Sequence, residues 1–321
     1  MSMKGMQGLE QSTVVTSQEA ADKRVAMGRL MGRLHTTNRI AQGVLWAITG
    51  IVVLMFISII VYLFLAGITY LFNPDFYSTD PSKTATSIAP ELFNTFYILI
   101  LTEVILFPIS LAAAIYLIEY APQGRLVTVI HFAAETLAGV PSIVIGLFGV
   151  IAFAVTFHLG TSRLTGALAL LCLNLPLALR LFEDALDSVP RDLRECSLAL
   201  GATKWHTIRT VVLPSALPGL VTGLILSAGK IIGEAAALIF TMGAFNPSNV
   251  YTLNPLIASD TLTVHLWYVK TQGAGAIEGL SFAGATAVSA GSATLLILIL
   301  LFINLGARGL GRYLQHRITA A

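Results

Sequence analysis

Six long apolar runs decide what this chain can fold into. They lie at roughly residues 41–70, 91–118, 126–157, 164–186, 215–242 and 282–306. A predominantly apolar stretch of about 18 residues or more is long enough to cross a bilayer as a helix. In lipid a backbone must satisfy its own polar groups, and a helix does so within one segment. Composition points the same way: 55% of the 321 residues are hydrophobic and only 11% are charged, against about 25% charged in soluble domains. The mean hydropathy is +0.80. The expected fold class is an all-α membrane protein with six transmembrane helices. The net charge of +2 carries no nucleic-acid signal.

The placement of charge orients the spans. Lys4, Lys23, Arg24, Arg29, Arg33 and Arg39 precede the first run, Arg125 follows the second, and Arg191, Arg194, Lys204 and Arg209 follow the fourth. Arg308, Arg312 and Arg317 follow the sixth, while the alternate links hold only Lys83, Arg163 and Lys270. The positive-inside rule puts the first set in the cytoplasm. Both termini are then cytoplasmic, and the links at 73–90 and 243–281 face outward. This divides the chain into a cytoplasmic N-terminal segment (1–40), a first transmembrane helix with its outer loop (41–90), a five-helix core (91–306) and a cytoplasmic tail (307–321).

Within residues 16–34, Thr16 and Glu19 form a capping-box pattern, and Met27, Leu30, Met31 and Leu34 recur at helical spacing. The spacing predicts an amphipathic surface helix on the membrane or on a partner; a solvated anchor is the plainer reading. The N-terminus lacks the short apolar core of a cleavable signal peptide. Cys172 lies in an apolar run and Cys196 in a polar segment, so no disulfide is expected. No cysteine or histidine shows metal-ligand spacing. Prolines at 108, 141 and 176 interrupt apolar runs, where kinks are expected.

The polar segment between the fourth and fifth runs is the most informative. Ser188 is placed to cap a helix beginning near Pro190, and Gly201 suits the position just past its end. Thr203 is placed to cap a second short helix, which Pro214 should terminate. Two short helices meeting at a glycine make an elbow with one apolar face, suited to docking.

The spacing of Glu195, Cys196, Ser197, Gly201, Val211, Leu213 and Pro214 resembles the EAA motif of ABC importer permeases, written E-A-A-x3-G-x9-I-x-L-P, with conservative departures at 196, 197 and 211. The resemblance implies the ABC importer type I permease (MetI-like) fold, with the loop at 188–214 fitting a cleft in an ATPase subunit. Glu195, Cys196, Ser197, Gly201, Leu213 and Pro214 are then coupling residues and not catalysts. No G-x-x-x-x-G-K-[ST] phosphate loop occurs; "GATKWHT" fails the spacing. ATP and magnesium are therefore expected on a partner ATPase, with no cofactor or metal on this chain.

Further strings, "ETLAGVPSIVIGLFG" (135–149), "LPLALRLFEDALDSVPRDLRE" (175–195), "GKIIGEAAALIFT" (229–241) and "TLTVHLWYV" (261–269), resemble the phosphate-importer permeases of the PstA type. That resemblance implies a PstC-like second permease, a PstB-like ATPase dimer, a PstS-like extracytoplasmic phosphate-binding protein and a bacterial inner membrane. The PstC-type sister subunit, and permeases for sulfate or molybdate, are the nearest alternatives. An ion-coupled secondary transporter or channel is the alternative from another class, though the inverted repeats common in such proteins are not apparent.

Charges within the spans mark candidate pathway residues, because each costs about 2.5–3.5 kcal/mol to insert at a helix centre. Lys230 and Glu234 lie four apart and are expected on one helical face, the ammonium attracting an oxyanion and Glu234 compensating it when the path is empty. An ion pair serving structure alone is the competing reading. Glu135 is placed near the inner mouth and Glu103 mid-span, facing a partner permease or protonated in an apolar setting. Where the phosphate branch has "RAIGE", this chain has Lys230, which keeps the charge but loses the bidentate fork. Gly219, Gly223 and Ser227, and on another face Gly229, Gly233 and Ala237, recur every four residues and permit close helix approach, with a second permease or within one subunit. The long link at 243–281 is expected to be a gate or docking surface, or a re-entrant segment.

Overall fold

In the computed structural model the described residues are 38–79, 87–122, 124–243, 251–273 and 281–319. The expected surface helix at 16–34 lies outside them. Among the described residues helix is the only regular secondary structure. Five helices are long and apolar enough to span a membrane, and six do so if one bent pair is counted as a span. The chain divides into a unit ending at Tyr62 and a unit from Leu63 onward.

The first spanning helix, α1 (Asn38–Leu71), has the highest hydropathy of the spans. Up to Tyr62 its large apolar side chains, among them Trp46, Ile51 and Leu54, stand exposed. That suits a helix whose partners are lipid tails.

The second unit holds the core. Helix α2 (Ala89–Tyr120) packs on α5 (Arg163–Asp187), and α5 packs on α7 (Lys204–Gly233). Phe182 of α5 is buried, with Phe107 of α2 edge-on to it at 5.4 Å, and Leu106, Leu170 and Leu220 complete the seam. Helix α10 (Phe282–Thr319) packs on α7. Near the end of α1, Gly67 comes so close to Ala290 and Thr294 of α10 that a β-carbon has no room.

Two of the six apolar runs are not single helices. The run 126–157 is split into α3 (Arg125–Ala138) and α4 (Ser142–Thr156), bent by 99° at Gly139–Pro141. Pro141 has no N–H to offer and holds an extended ψ of 137°, so the predicted kink is a full break. The run 215–242 is split at Glu234 and Ala235 into α7 and the short α8 (Ala236–Thr241). Pro108 and Pro176 lie inside continuous helices.

The link after α8 carries one more helix, α9 (Leu262–Gln272), which holds most of the "TLTVHLWYV" string. Thr261 caps α9 by accepting a hydrogen bond from Val264 N. Residues 251–261 are stitched to the start of α5. Arg163 N donates to Ile257 O at 3.0 Å, and Leu164 N donates to Pro255 O at 2.8 Å. Arg163 itself is fully buried. Its guanidinium donates to Ser259 Oγ at 3.0 Å, to Asn94 Oδ1 at 2.6 Å and to Thr252 O, and lies 4.8 Å from the Tyr97 ring centroid.

Beside this seam His265 Nδ1 lies 3.1 Å from Asp260 Oδ2 and 3.5 Å from Glu91 Oε1, all three buried. Burial works against the imidazolium, but the Asp260 bond and the two carboxylate charges outweigh it and push His265 up to about 9.

Candidate functional site

The segment after α5 forms the elbow. Helix α6 (Arg191–Ala199) begins after Pro190, whose ψ of 140° and missing N–H suit a helix start. Ser188 does not cap it. That residue closes α5 instead, and its hydroxyl donates to Ala185 O at 2.7 Å. At the far end Gly201 takes φ +85°. Gly201 N donates to Leu198 O at 2.9 Å and Ala202 N to Ser197 O at 3.3 Å, the paired bonds of a Schellman turn. Thr203 then caps the next helix by accepting from His206 N at 3.3 Å. Ser197 and Thr207 hydroxyls meet at 2.9 Å and tie the two arms together.

The second arm does not stop at Pro214. Helix α7 runs unbroken from Lys204 to Gly233, with the stretch Ile208–Val212 widened to π-helical pitch immediately before the proline. A proline ring clashes with the carbonyl four residues back, here that of Thr210, and the wider turn relieves it. The elbow is therefore the end of a 30-residue rod, about 45 Å long at 1.5 Å per residue.

Arg194 fastens the other arm. Its Nε donates to Glu119 Oε1 at 3.0 Å, Nη1 to Val189 O at 2.7 Å and Nη2 to Leu186 O at 2.7 Å. Both charged side chains are largely buried. Lys204 Nζ sits 5.1 Å from the ring centroid of Tyr120, so each arm touches the end of α2. Glu195, Cys196 and Gly201 remain exposed, and Leu198, Leu200 and Trp205 present apolar surface with no cover among the described residues. Leu200 is 89% exposed, a poor position for a leucine unless a partner lies there. Leu213 is partly buried and Pro214 exposed at the base of the rod.

At the other end of the rod lies a cavity of about 430 Å³, walled by α3, α5 and α7. Its ionisable side chains are His131, Glu135, Arg180, Glu183, Asp184 and Lys230. Arg180 Nη1 reaches Glu135 Oε1 at 3.9 Å, and His131 Nε2 lies 3.7 Å from Glu183 Oε1. The Arg180–Glu135 pair is mostly solvent-exposed and contributes little to stability.

Lys230 and Glu135 thus share one cavity, while Glu234 and Glu103 lie off its wall. The expected Lys230–Glu234 face does not form, because α7 ends between them. Glu234 has an extended ψ of 124°, and its Oε1 accepts from Ala237 N at 3.3 Å, capping α8. Among the described residues no carboxylate lies within ion-pair distance of Lys230. Glu103 sits half-buried on α2 beside Ser227 of α7.

The two small-residue faces of α7 separate cleanly. A β-carbon on Gly219 would lie 2.8 Å from Ala185 Cβ, and one on Gly223 would lie 3.1 Å from Leu181 Cβ, so this face is the seam with α5. Gly229 and Gly233 have nothing within 4 Å of such an atom.

Residues 105–320 match the family described as the binding-protein-dependent transport system inner membrane component. The chain belongs to this family. As such an inner membrane component it is an ABC transporter permease, a transport subunit and not an enzyme, and membership brings an ATPase partner and a substrate-binding protein. It is 40% identical to the probable ABC transporter permease protein YqgI of Bacillus subtilis (strain 168), over 76% of this chain and 85% of that one. It is 34% identical to phosphate transport system permease protein PstA 1 of Mycobacterium tuberculosis (strain CDC 1551 / Oshkosh), over 71% of each. The fold is similar to that of the MetNI methionine ABC transporter in inward-facing conformations, with a TM-score of 0.56 and 19% identity over 71% of this chain and 95% of that chain. The MetI-like permease fold expected from the motif is the fold observed.

Proposed function

We propose that this chain is one of two permease subunits of a phosphate importer of the bacterial inner membrane. It would pair with a PstC-like permease, a PstB-like ATPase dimer and a PstS-like binding protein. The elbow at 188–214 faces the cytoplasm and receives the ATPase, and α2 and α5 begin at the extracytoplasmic end. Closure of the ATPase pushes the exposed Leu198–Leu200–Trp205 surface. Arg194 passes that displacement to α2 and α5, while α7 carries it along its length to Lys230.

The observation that carries the oxyanion reading is Lys230. Its ammonium stands on the cavity wall and, among the described residues, has no carboxylate partner; it lies three residues before the end of α7. An unpaired cation in a confined, low-dielectric path attracts an oxyanion such as phosphate. The 34% identity to a phosphate permease supports phosphate over other oxyanions.

The test is uptake into proteoliposomes holding the four-component assembly with ATP inside. Radiolabelled phosphate is expected to accumulate, and sulfate and molybdate are not. Accumulation of sulfate in place of phosphate would reassign the substrate, and ATP-independent movement through the isolated chain would remove the coupling reading.

A further inference from the structure

The Glu91–Asp260–His265 cluster is at the end of the helix bundle remote from the elbow, since it adjoins the starts of α2 and α9 while the elbow follows the end of α5. It belongs neither to the cavity nor to the coupling surface. We propose that it is a binding site for one divalent transition-metal ion of the zinc class, which ties the segment 258–272 to α2.

Three observations carry this. The first is donor geometry. His265 Nδ1 lies 3.1 Å from Asp260 Oδ2 and 3.5 Å from Glu91 Oε1, and a nitrogen or oxygen ligand atom from each residue lies within 4.8 Å of the others. Tetrahedral zinc with ligands at 2.0–2.2 Å places its donors about 3.4 Å apart, so two of the three edges already have the required length.

The second is the state of the carboxylates. Glu91 is fully buried, yet neither of its oxygens has a hydrogen-bond partner, and Asp260 Oδ1 is likewise buried and unpartnered. A buried carboxylate without donors is costly. A cation bound by Oε1 of Glu91, an oxygen of Asp260 and Nδ1 of His265 would fill three tetrahedral positions, leave the fourth to water, and give the Glu91 carboxylate the partner it lacks.

The third is charge. With both carboxylates ionised, as metal ligation requires, the two acids and one histidine sum to −1 or −2, depending on the imidazole. Among the described residues no Lys or Arg pairs with either carboxylate. A dication with two carboxylates and a neutral imidazole sums to zero. Binding displaces the Nδ1 proton to solvent and forms the metal–nitrogen bond with the lone pair so freed.

The experiment uses the full chain purified in detergent on a tag without histidine, stripped with a chelator and titrated with Zn²⁺ and, separately, Co²⁺. One equivalent of each metal is expected to bind. The Co²⁺ complex should show visible ligand-field bands of a four-coordinate nitrogen–oxygen site and no thiolate charge-transfer band. His265→Ala, Asp260→Asn and Glu91→Gln should each weaken binding by more than the roughly 10–100-fold that loss of an outer-shell partner costs. Failure of the wild-type chain to retain Zn²⁺ overturns the proposal, and the cluster is then neutralised by a proton. Retention that survives the substitutions, or a sulfur-ligated Co²⁺ spectrum pointing to Cys172 or Cys196, overturns it equally. The wild-type titration and spectrum decide the matter even if a variant fails to fold.

Discussion

The backbone of Ala237 occupies the space that a side chain on Gly146 would need. A β-carbon on Gly146 would stand 2.8 Å from Ala237 Cα and 2.9 Å from its carbonyl oxygen. The two residues lie on α4 and α8, the pieces that follow the breaks at Gly139–Pro141 and Glu234–Ala235. The broken halves of two apolar runs therefore brace each other, while Ala138 and Lys230, just before the two breaks, border the cavity between α3, α5 and α7.

This close approach predicts a graded response. Gly146→Ala should destabilise the chain by about 1–3 kcal/mol, the usual cost of overpacking, and Gly146→Leu should prevent accumulation of folded protein. Gly229→Ala meets nothing within 4 Å and should leave the isolated chain unchanged. Thermal unfolding of the three variants in detergent, beside wild type, checks the order.

Much of this architecture was legible in the sequence because its determinants are local. Hydropathy runs locate the spans, and Gly201 and Thr203 announce the elbow through turn and cap chemistry confined to a few residues. The breaks were harder to see. Pro214 reads as a stop signal, but a widened turn at 208–212 lets the helix continue. Glu234 reads as the fourth residue after Lys230 on a helix, but it caps α8 through Ala237 N. The chain has a local side-chain alternative at Glu234 that reaches only to Ala237, and which of the two local arrangements wins is set by the packing of α8 on α4. Arg163 reads as a stray outer charge because its partners, Asn94, Thr252 and Ser259, are distant in sequence. The lone arginine at the head of an apolar run, and the asparagine within another, were the available hints. Nothing local marked Arg194 as a clamp or joined Glu91 to His265.

Arg194 makes three hydrogen bonds from one guanidinium, one to the largely buried Glu119. Arg194→Ala leaves that carboxylate and two carbonyls without their donor, at a cost of about 3–5 kcal/mol for the buried pair. Arg194→Lys should rescue little, because an ammonium cannot span three acceptors in a fork. The expected signature is loss of ATP-driven uptake at a given amount of assembled complex, with ATP hydrolysis no longer stimulated by loaded binding protein. Retention of that stimulation in Arg194→Ala would remove the clamp from the coupling route.

Gly201 sits at φ +85° with open space around it. Gly201→Val therefore tests backbone strain without steric clash. Left-handed backbone costs an L-residue about 1–2 kcal/mol, and a β-branched residue sits at the unfavourable end. Gly201→Asn should be tolerated better, since asparagine visits this region more readily. Uptake should fall in the order Gly, Asn, Val while the melting temperature moves by a few degrees at most, because the elbow contributes little buried core.

Lys230 offers the sharpest separation of function from stability. Its side chain is exposed to the cavity and, among the described residues, has no ion-pair partner, so Lys230→Ala removes no structural contact of consequence. If the ammonium attracts phosphate along the path, the substitution forfeits a charge-assisted interaction of about 1.5–3 kcal/mol. At 1.4 kcal/mol per decade, phosphate uptake should fall roughly 10–100-fold with an unchanged melting temperature. Lys230→Arg should keep most of the uptake, since the charge remains and a bidentate fork is gained. Lys230→Glu should fall below Lys230→Ala, because a carboxylate would then repel the substrate where an alanine is neutral. Equal uptake by the alanine and glutamate variants would mean that no anion passes this side chain, and would return Lys230 to a solvated wall of an otherwise coupled permease.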